Sequence, residues 1–419
     1  MKKHTLLILI IYTIVLSGLV TRNGQLLILA IPPLVYLGIG LLHRPEKPQL
    51  TLTRHLSAIQ VAEQEPVTIE LSVINQGPTI EEVFIEDQIP AGLTLIEGYS
   101  TVLTTLSPGA TITLTYMLQG PRGAYHFPGV QTTIQERLGL FTEQIYDDIS
   151  DQLLIVPQTI RLKRVAIRPR QTRVYAGQIP ARQGGPGVEF FGLRHYQPGD
   201  PLRWVNARAT ARHTQNLFVN EFEQERMADV GLILDARQQS EIRTSAGSLF
   251  DHSAQATAAL GEAFLTTGNR VGLFIYGRYL DWTFPGYGKM QQQRILQALA
   301  KTQIGSGEVF ATLEHLPTRL FPARSQLVFI SPLLSHDMDR LIMLRARGYK
   351  LLVISPNPIR FEQQQIGQTK DILLAARVAH LERALLLNKL RQADIQVIDW
   401  PVDTPFYEIA HASLSRTTV

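Results

Sequence analysis

Apolar positions dominate the first forty residues and then change period twice along the chain. Residues 6–20 (LLILIIYTIVLSGLV) and 25–42 (QLLILAIPPLVYLGIGLL) are two apolar runs separated by TRNG. Neither carries the polar residue every few positions that marks an amphipathic core helix. Each is near the length needed to cross a hydrocarbon core, the first somewhat short. The pattern predicts a transmembrane helical hairpin over 1–43. A secretory signal followed by one anchor fits less well, because no small-x-small cleavage site is clear and the second run follows at once. Pro32 and Pro33 predict a kink in the second span. Lys2 and Lys3 precede the hairpin, Arg44, Lys47 and Arg54 follow it, and Arg22 lies in its loop. The positive-inside rule therefore places both termini and everything after residue 43 in the cytoplasm, at the cell membrane.

From residue 50 the period shortens to two. LTLTRHL (50–56), VTIELSVIN (67–75), EEVFIEDQI (81–89) and TITLTYML (111–118) alternate in part and are rich in Val, Ile and Thr. NQGP, PAG and SPGA stand between them as turns. About seven strands at this spacing predict an all-β sandwich of the immunoglobulin or fibronectin kind over 50–157, serving as a spacer. Residues 158–226 change character, opening with Arg161, Lys163, Arg164, Arg168, Arg170 and Arg173 and no acidic residue among them. That run reads as a solvated linker or as a contact for anionic lipid headgroups. Nucleic acid is not expected, because no aromatics interleave the basic residues to stack bases.

From about residue 227 short apolar runs alternate with helical patterns. DVGLILD (229–235), QLVFISP (326–332), KLLVISP (350–356) and DIQVIDW (394–400) are the strand-like runs. RVGLFIYG and LDWTFPG flank a tight turn at Gly277-Arg278 and predict a hairpin. Helices are expected over 248–268, 289–303, 308–319, 337–347 and 371–392, and in the closing PFYEIAHASLSR. Buried strands alternating with helices predict a doubly wound, mostly parallel α/β sheet over 227–419. Ligands in such folds sit at the C-terminal strand ends, here around Asp235, Ser331 and Ser355.

This order of elements resembles a von Willebrand factor A domain. The resemblance implies a strand-end D-x-S-x-S loop that holds Mg²⁺ with all-oxygen ligands. Asp235 matches, but Arg237 and Gln239 stand where the hydroxyls belong, and Ser331 stands where an acidic ligand is expected. A cation at Arg237 repels a metal, so the site around Asp235 reads as degenerate. No metal and no cofactor is expected, and Asp235 is expected to pair with an arginine or to cap the following turn.

Composition adds limits. The 419 residues carry 40 basic and 36 acidic side chains, a net charge of +4 that does not argue for nucleic acid. The chain has no cysteine, which excludes disulfides, thiolate catalysis and Cys-ligated metals. His195, His213 and His252 are candidate bases only in the sense that histidines are present. No G-x-S-x-G elbow and no H-E-x-x-H occurs.

The densest stretch is 184–226, GGPGVEFFGLRHYQPGDPLRWVNARATARHTQNLFVNEFEQER. Pro198-Gly199-Asp200-Pro201 predicts a tight turn with a positive φ at Gly199. Trp204, Arg208 and Arg212 share one face if 203–212 is helical. In LFVNEFEQE, Val219, Glu221, Glu223 and Glu225 share one strand face. Arginines and glutamates so arranged predict an intramolecular ion-pair network, with a protein-docking surface as the second reading and an anion pocket as the third. GGPG lacks the ending of a P-loop.

GxEFFGLRxYxPGDPLRxV (187–205), ARATAR (207–212) and LFVNEFEQE (217–225) resemble the signature of the domain-of-unknown-function 58 family, as does RGAYHFPGVQTTIQERLGLF (122–141). One departure is Asn206-Ala207, where that family is expected to carry an Asp-Trp pair. The resemblance implies a membrane-anchored, non-enzymatic scaffold working with a MoxR-type AAA+ ATPase on another protein. Arg194, Tyr196, Asp200, Arg203, Arg208 and Arg212 are then the expected contact residues, with membrane lipids as the other partner. An enzyme of unrecognised type acting at the membrane is the alternative, and a metal-dependent ligand-binding module is a third reading.

Overall fold

The computed structural model describes residues 3–42, 48–135, 139–162, 173–212, 216–244, 247–277, 280–305, 321, 325–363 and 369–414, with the backbone alone described at 173–189, 191 and 222–227. Lys2, Arg44, Lys47, the basic run Lys163–Arg170, His213, Arg278 and the helix expected over 308–319 lie outside the described residues. The chain divides into two compact units, Met1–Val156 and Pro157–Val419.

The first unit opens with α1 (Lys3–Thr21), α2 (Gly24–Leu29) and α3 (Ile31–Leu42). Lys3–Thr21 and Gly24–Leu42 each give 19 residues with a mean hydropathy of 2.1, long and apolar enough to cross a membrane. Asn23 caps the second stretch by accepting a hydrogen bond from the Gln25 N–H. Gly18 lets α1 approach Leu27, because a Cβ there would lie 2.8 Å from the leucine Cδ2. The second stretch breaks at Ala30, just before the prolines. Pro32 and Pro33 have no N–H to offer the carbonyls of Ile28 and Leu29, and the Ala30 N–H turns back onto Leu27 and Ile28 instead.

Eleven strands follow among the described residues: β1 (Leu50–Leu56), β2 (Gln60–Ala62), β3 (Val67–Asn75), β4 (Ile80–Asp87), β5 (Thr94–Gly98), β6 (Thr101–Leu106), β7 (Thr111–Gln119), β8 (Gly123–Phe127), β9 (Val130–Gln135), β10 (Thr142–Asp147) and β11 (Asp151–Val156). They form sheets ordered β1-β3-β7-β5, β10-β9-β4-β6 and β2-β11-β8. The count exceeds the seven or so strands expected, because pieces as short as QVA carry no readable alternation. Along β3, Val67, Ile69, Leu71 and Val73 are all buried, which is the period-two signature of a strand with one covered face. Leu71 and Val73 join Val83, Ile85, Val130 and Ile134 in one core. Val67 and Ile69 join Phe127, Leu153 and Ile155 in another. One face of the first sheet is thus covered by the second sheet at one end and by the third at the other.

A buried ion pair ties these sheets together. Arg54 on β1 donates to both Asp87 carboxylate oxygens, at 3.1 and 2.5 Å, and to the Ile149 carbonyl at 2.6 Å. The Tyr116 hydroxyl donates to the same carboxylate at 2.6 Å. Burial, then the Asp87 charge, push the Tyr116 phenol well above its usual pKa.

The second unit begins with two antiparallel strands, β12 (Arg173–His195) and β13 (Phe218–Met227), whose register shifts repeatedly. The linker expected at the start of 158–226 is therefore strand from Arg173 onward. Its partner lies beyond residue 217, and its Gly- and Pro-containing sequence has no alternation to betray it. Between the two strands come a 3₁₀ turn at Leu202–Trp204 and α4 (Ala207–Arg212).

Then follow β14 (Asp229–Asp235), β15 (Arg243–Thr244), β16 (Gly247–Ser248), α5 (Leu249–Thr266), β17 (Arg270–Tyr276), β18 (Leu280–Gly286), α6 (Gly288–Lys301), β19 (Gln326–Ile330), α7 (Asp337–Ala346), β20 (Lys350–Pro356), α8 (Pro358–Gln363), α9 (Lys370–Gln392), β21 (Gln396–Trp400) and α10 (Phe406–Leu414). The main sheet runs β18-β17-β14-β19-β20-β21 and is parallel except at β18. All seven residues of β14 are buried, as a strand covered on both faces requires. Ile233 and Phe329 pack with Leu341 and Leu344 of α7 and Leu387 and Leu390 of α9. On the other face Gly261 of α5 lies close to Leu232 and to Ile295 of α6. The chain passes from β14 to β17 on one side and later to β19 on the other. The sheet's topological switch point therefore lies between β14 and β19, the place where open α/β sheets have their strand-end crevice.

Candidate functional site

At that crevice the last residue of β14, Asp235, meets a guanidinium from its own loop. Arg237 donates through Nε and Nη2 to the two Asp235 oxygens at 2.9 and 2.8 Å. Through Nη1 and Nη2 it also donates to both oxygens of Asp337, the first residue of α7, at 2.9 and 2.7 Å. The hydroxyls of Ser240 and Ser331 donate to the same Asp235 oxygen at 2.6 and 2.7 Å. The Arg237 N–H bonds Asp235 at 3.0 Å and the Leu334 N–H bonds Asp337 at 2.9 Å. Only 4%, 3% and 0% of the Arg237, Asp235 and Asp337 side chains is exposed, so water contributes little to this balance.

Burial alone lowers an arginine pKa, yet the hydrogen bonds and charges of Asp235 and Asp337 outweigh it and hold Arg237 above its usual value. Burial pushes the neighbouring Tyr276 hydroxyl up to about 12. The Tyr276 ring lies 5.8 Å from the guanidinium carbon. Two carboxylates and two serine hydroxyls are the donor types that Mg²⁺ takes, but here the guanidinium holds the oxygens a cation needs. The residues present do not fit the metal that the von Willebrand A resemblance implies.

A second buried guanidinium closes the neighbouring strand ends. Arg383 of α9 donates to Asp399 on β21 at 2.8 and 3.1 Å and to the Ser355 hydroxyl at 2.9 Å. It also reaches the carbonyl of Pro332 at 2.9 Å. Asp235, Ser331 and Ser355, singled out in the sequence, are therefore brought to one edge of the sheet, but by two arginines. Arg383, Asp337 and Ser240 were not anticipated. One signal for Arg383 was present, since it falls at the helical spacing of Ala376, Leu387 and Leu390, which form the buried stripe of α9.

The signature segment lies between β12 and β13. Arg194 forms a two-pronged pair with Asp200, 2.7 Å on each prong, and approaches Glu221 at 3.8 Å. Asp200 also accepts from the Gln197 N–H at 2.8 Å, closing the turn in which Gly199 has φ +107°. Arg194, and then the Gln197 N–H, hold the Asp200 carboxyl down at about 2. Tyr196 is half-buried, and its N–H bonds the Leu217 carbonyl. Arg203, Arg208 and Arg212 are exposed, and among the described residues none of the three forms an ion pair. The expected network is thus confined, among the described side chains, to Arg194, Asp200 and Glu221.

Trp204, Arg208 and Arg212 do not share one helix. Val205 is extended, with ψ 123°, and bridges to Val219, which ends the 3₁₀ turn before α4 begins. Asn206 then caps α4, accepting from the Ala209 N–H at 2.9 Å while its amide donates to Asn220 at 2.6 Å. His195 lies tilted against Phe218, and His252 lies edge-on to Phe361 and Trp400. An open cavity of about 320 Å³ beside the Asp235 strand end is lined by Ala236, Ile275, Gly277 and Leu280, with Asp281 and Lys301 as its charged members.

Residues 192–359 match the family described as "Protein of unknown function DUF58". No curated protein matches the chain. Among solved structures, a FixG-related protein from Vibrio parahaemolyticus is 15% identical, covering 25% of this chain and 95% of its own, with a TM-score of 0.18. A CARDB domain from Pyrococcus furiosus, solved with di-metal ions, is 15% identical over 27% of this chain and 92% of its own, at 0.18. The cupredoxin domain of amoB from Nitrosocaldus yellowstonii is 10% identical over 29% of this chain and 95% of its own, at 0.19. Scores this low carry no argument about fold or activity.

Proposed function

On the premise that this chain belongs, through residues 192–359, to the DUF58 family, we propose that it is a membrane-anchored scaffold that binds proteins rather than transforming a substrate. The observation that carries this reading is the distribution of arginines. At the strand-end crevice, where an α/β fold places its chemistry, Arg237 and Arg383 engage the carboxylates and hydroxyls internally. On the signature segment, Arg203, Arg208 and Arg212 stand exposed beside a turn clamped by Arg194 and Asp200. Exposed arginines on a held backbone serve recognition, and arginine is enriched in interface hot spots.

The partner class is a MoxR-type AAA+ ATPase, which the family resemblance implies and which would act with the scaffold on a further protein. In this reading the α/β part is a von Willebrand A-like module without its metal. The β-rich part is an immunoglobulin- or fibronectin-like spacer, and the apolar helices form a two-span anchor with both soluble regions in the cytoplasm. The test is affinity purification of the full-length chain from its own membranes, with and without ATP, beside Arg208→Glu/Arg212→Glu. An ATP-sensitive AAA+ ATPase bound to the natural chain and lost from the charge-reversed one supports the reading. Recovery of the chain alone in both nucleotide conditions sinks it.

A further inference from the structure

The longest helix of the second unit has two apolar faces, and the sheet uses only one. On α9, Ala376, Arg383, Leu387 and Leu390 are buried against the strands. On the opposite side Leu374, Val378, Leu381 and Leu385 are 63%, 50%, 68% and 64% exposed. Their spacings of four, three and four residues are those of a heptad seam, with Leu374 and Leu381 at d positions and Val378 and Leu385 at a positions. An outward heptad seam on a helix already held by its other face costs no folding to present.

We propose that α9 is a dimerisation helix whose outward seam packs in parallel against the same seam of a second copy of this chain. Two observations select this occupant. A β-branched residue at an a position with leucines at d favours two-stranded pairing. The flanks are complementary in the parallel arrangement as well. Arg377 takes a g position and Glu382 the following e position, the two that meet across a parallel pair, and the two-fold axis forms the contact twice. Among the described residues neither Arg377 nor Glu382 has an ion-pair partner within its own chain. Antiparallel pairing sets g beside g and removes that complement. The acidic Glu382 beside the middle of the seam also disfavours burial of this face in an anionic bilayer.

The experiment uses the full chain reconstituted in lipid nanodiscs, with its mass measured by light scattering. The natural chain is expected as a dimer. Leu381→Glu is expected to raise the dimer dissociation constant by about a hundredfold or more, because a leucine leaves each side of the seam. Arg377→Glu and Glu382→Arg each weaken the dimer, and the double exchange restores it, which a merely structural defect would not allow. Because the natural chain has no cysteine, Leu374→Cys and Leu385→Cys report on direction. Both cross-link to themselves under oxidation only if the helices run parallel. A monomeric natural chain, a dimer indifferent to Leu381→Glu, or no cross-link at either cysteine overturns the proposal. So does a nitroxide at Leu381→Cys that is relaxed by lipid-dissolved oxygen rather than by a second nitroxide, since that places the seam on the bilayer.

Discussion

Arg237 is the residue on which the strand-end crevice depends, because two carboxylates buried there share its one guanidinium. Replacing it with Met leaves Asp235 and Asp337 without the guanidinium, and only the half-exposed His336, 3.6 Å from Asp337, beside them. Loss of one partner from a buried pair costs about 3–5 kcal/mol, so the variant is expected to unfold at a markedly lower urea concentration than the natural chain. A chelator is expected to leave the natural chain's melting temperature unchanged, because the cage already contains its cation. A drop in melting temperature with EDTA that Mg²⁺ reverses would show that the guanidinium leaves room for a metal. Asp200 behaves differently, since it and its partner Arg194 are only partly buried, their side chains 13% and 31% exposed. Its folded pKa, about 2, lies below the ordinary 3.8, so its contribution is fully present above pH 4 and fades as the pH falls through about 2. Carboxyl-carbon NMR of the natural chain and of Arg194→Gln checks this, with the Asp200 titration in the variant returning toward the ordinary value.

Elements here begin and end where single side chains satisfy backbone or charge. Asn206 stands where the resemblance leads one to expect Asp, and it caps α4 as an aspartate would. Asn206→Asp keeps the cap but loses the amide donor to Asn220, so it is expected to cost less than Asn206→Ala, which loses both bonds and costs about 1–2 kcal/mol, measurable as faster amide exchange at Ala209. Arg383 fastens α9 to β21 and to the loop after β19. Arg383→Leu is expected to lower stability by about 1–2 kcal/mol, chiefly because the buried Pro332 carbonyl and Ser355 lose their donor, whereas Asp399 is partly exposed and still accepts from Asn357. It also raises exchange in α9 ahead of β14, and uniform exchange across both would argue against a fastening role. The existence and type of the long elements were legible beforehand. The helix expected over 371–392 spans Lys370–Gln392, and DVGLILD is β14. The condition that 203–212 be one helix is not met, because Val205 is held in extended conformation by Val219 on a strand formed later in the chain.

For the molecule as a whole, the two N-terminal helices are long and apolar enough to cross a membrane. A chain lacking residues 1–42 is expected to leave the membrane pellet after an alkaline wash, while the full chain stays with it. Retention of the truncated chain would shift the anchoring to another surface. The alternation of apolar residues by itself determined the two apolar helices, the β-rich stretch and the α/β order of the second unit, because periodicity is a local property and burial enforces it residue by residue. The signature from 187 to 225 was likewise sufficient to indicate the family. What fills the crevice was decided only by tertiary structure. Ser331 reaches Asp235 across 96 residues, and Asp337 reaches Arg237 across 100. The pairing of β12 with β13 and the choice of which α9 face meets the sheet belong to the same class. A guanidinium bonded on both sides leaves no mark on local periodicity, so its partners emerge only when strand ends distant in sequence are brought within hydrogen-bonding distance.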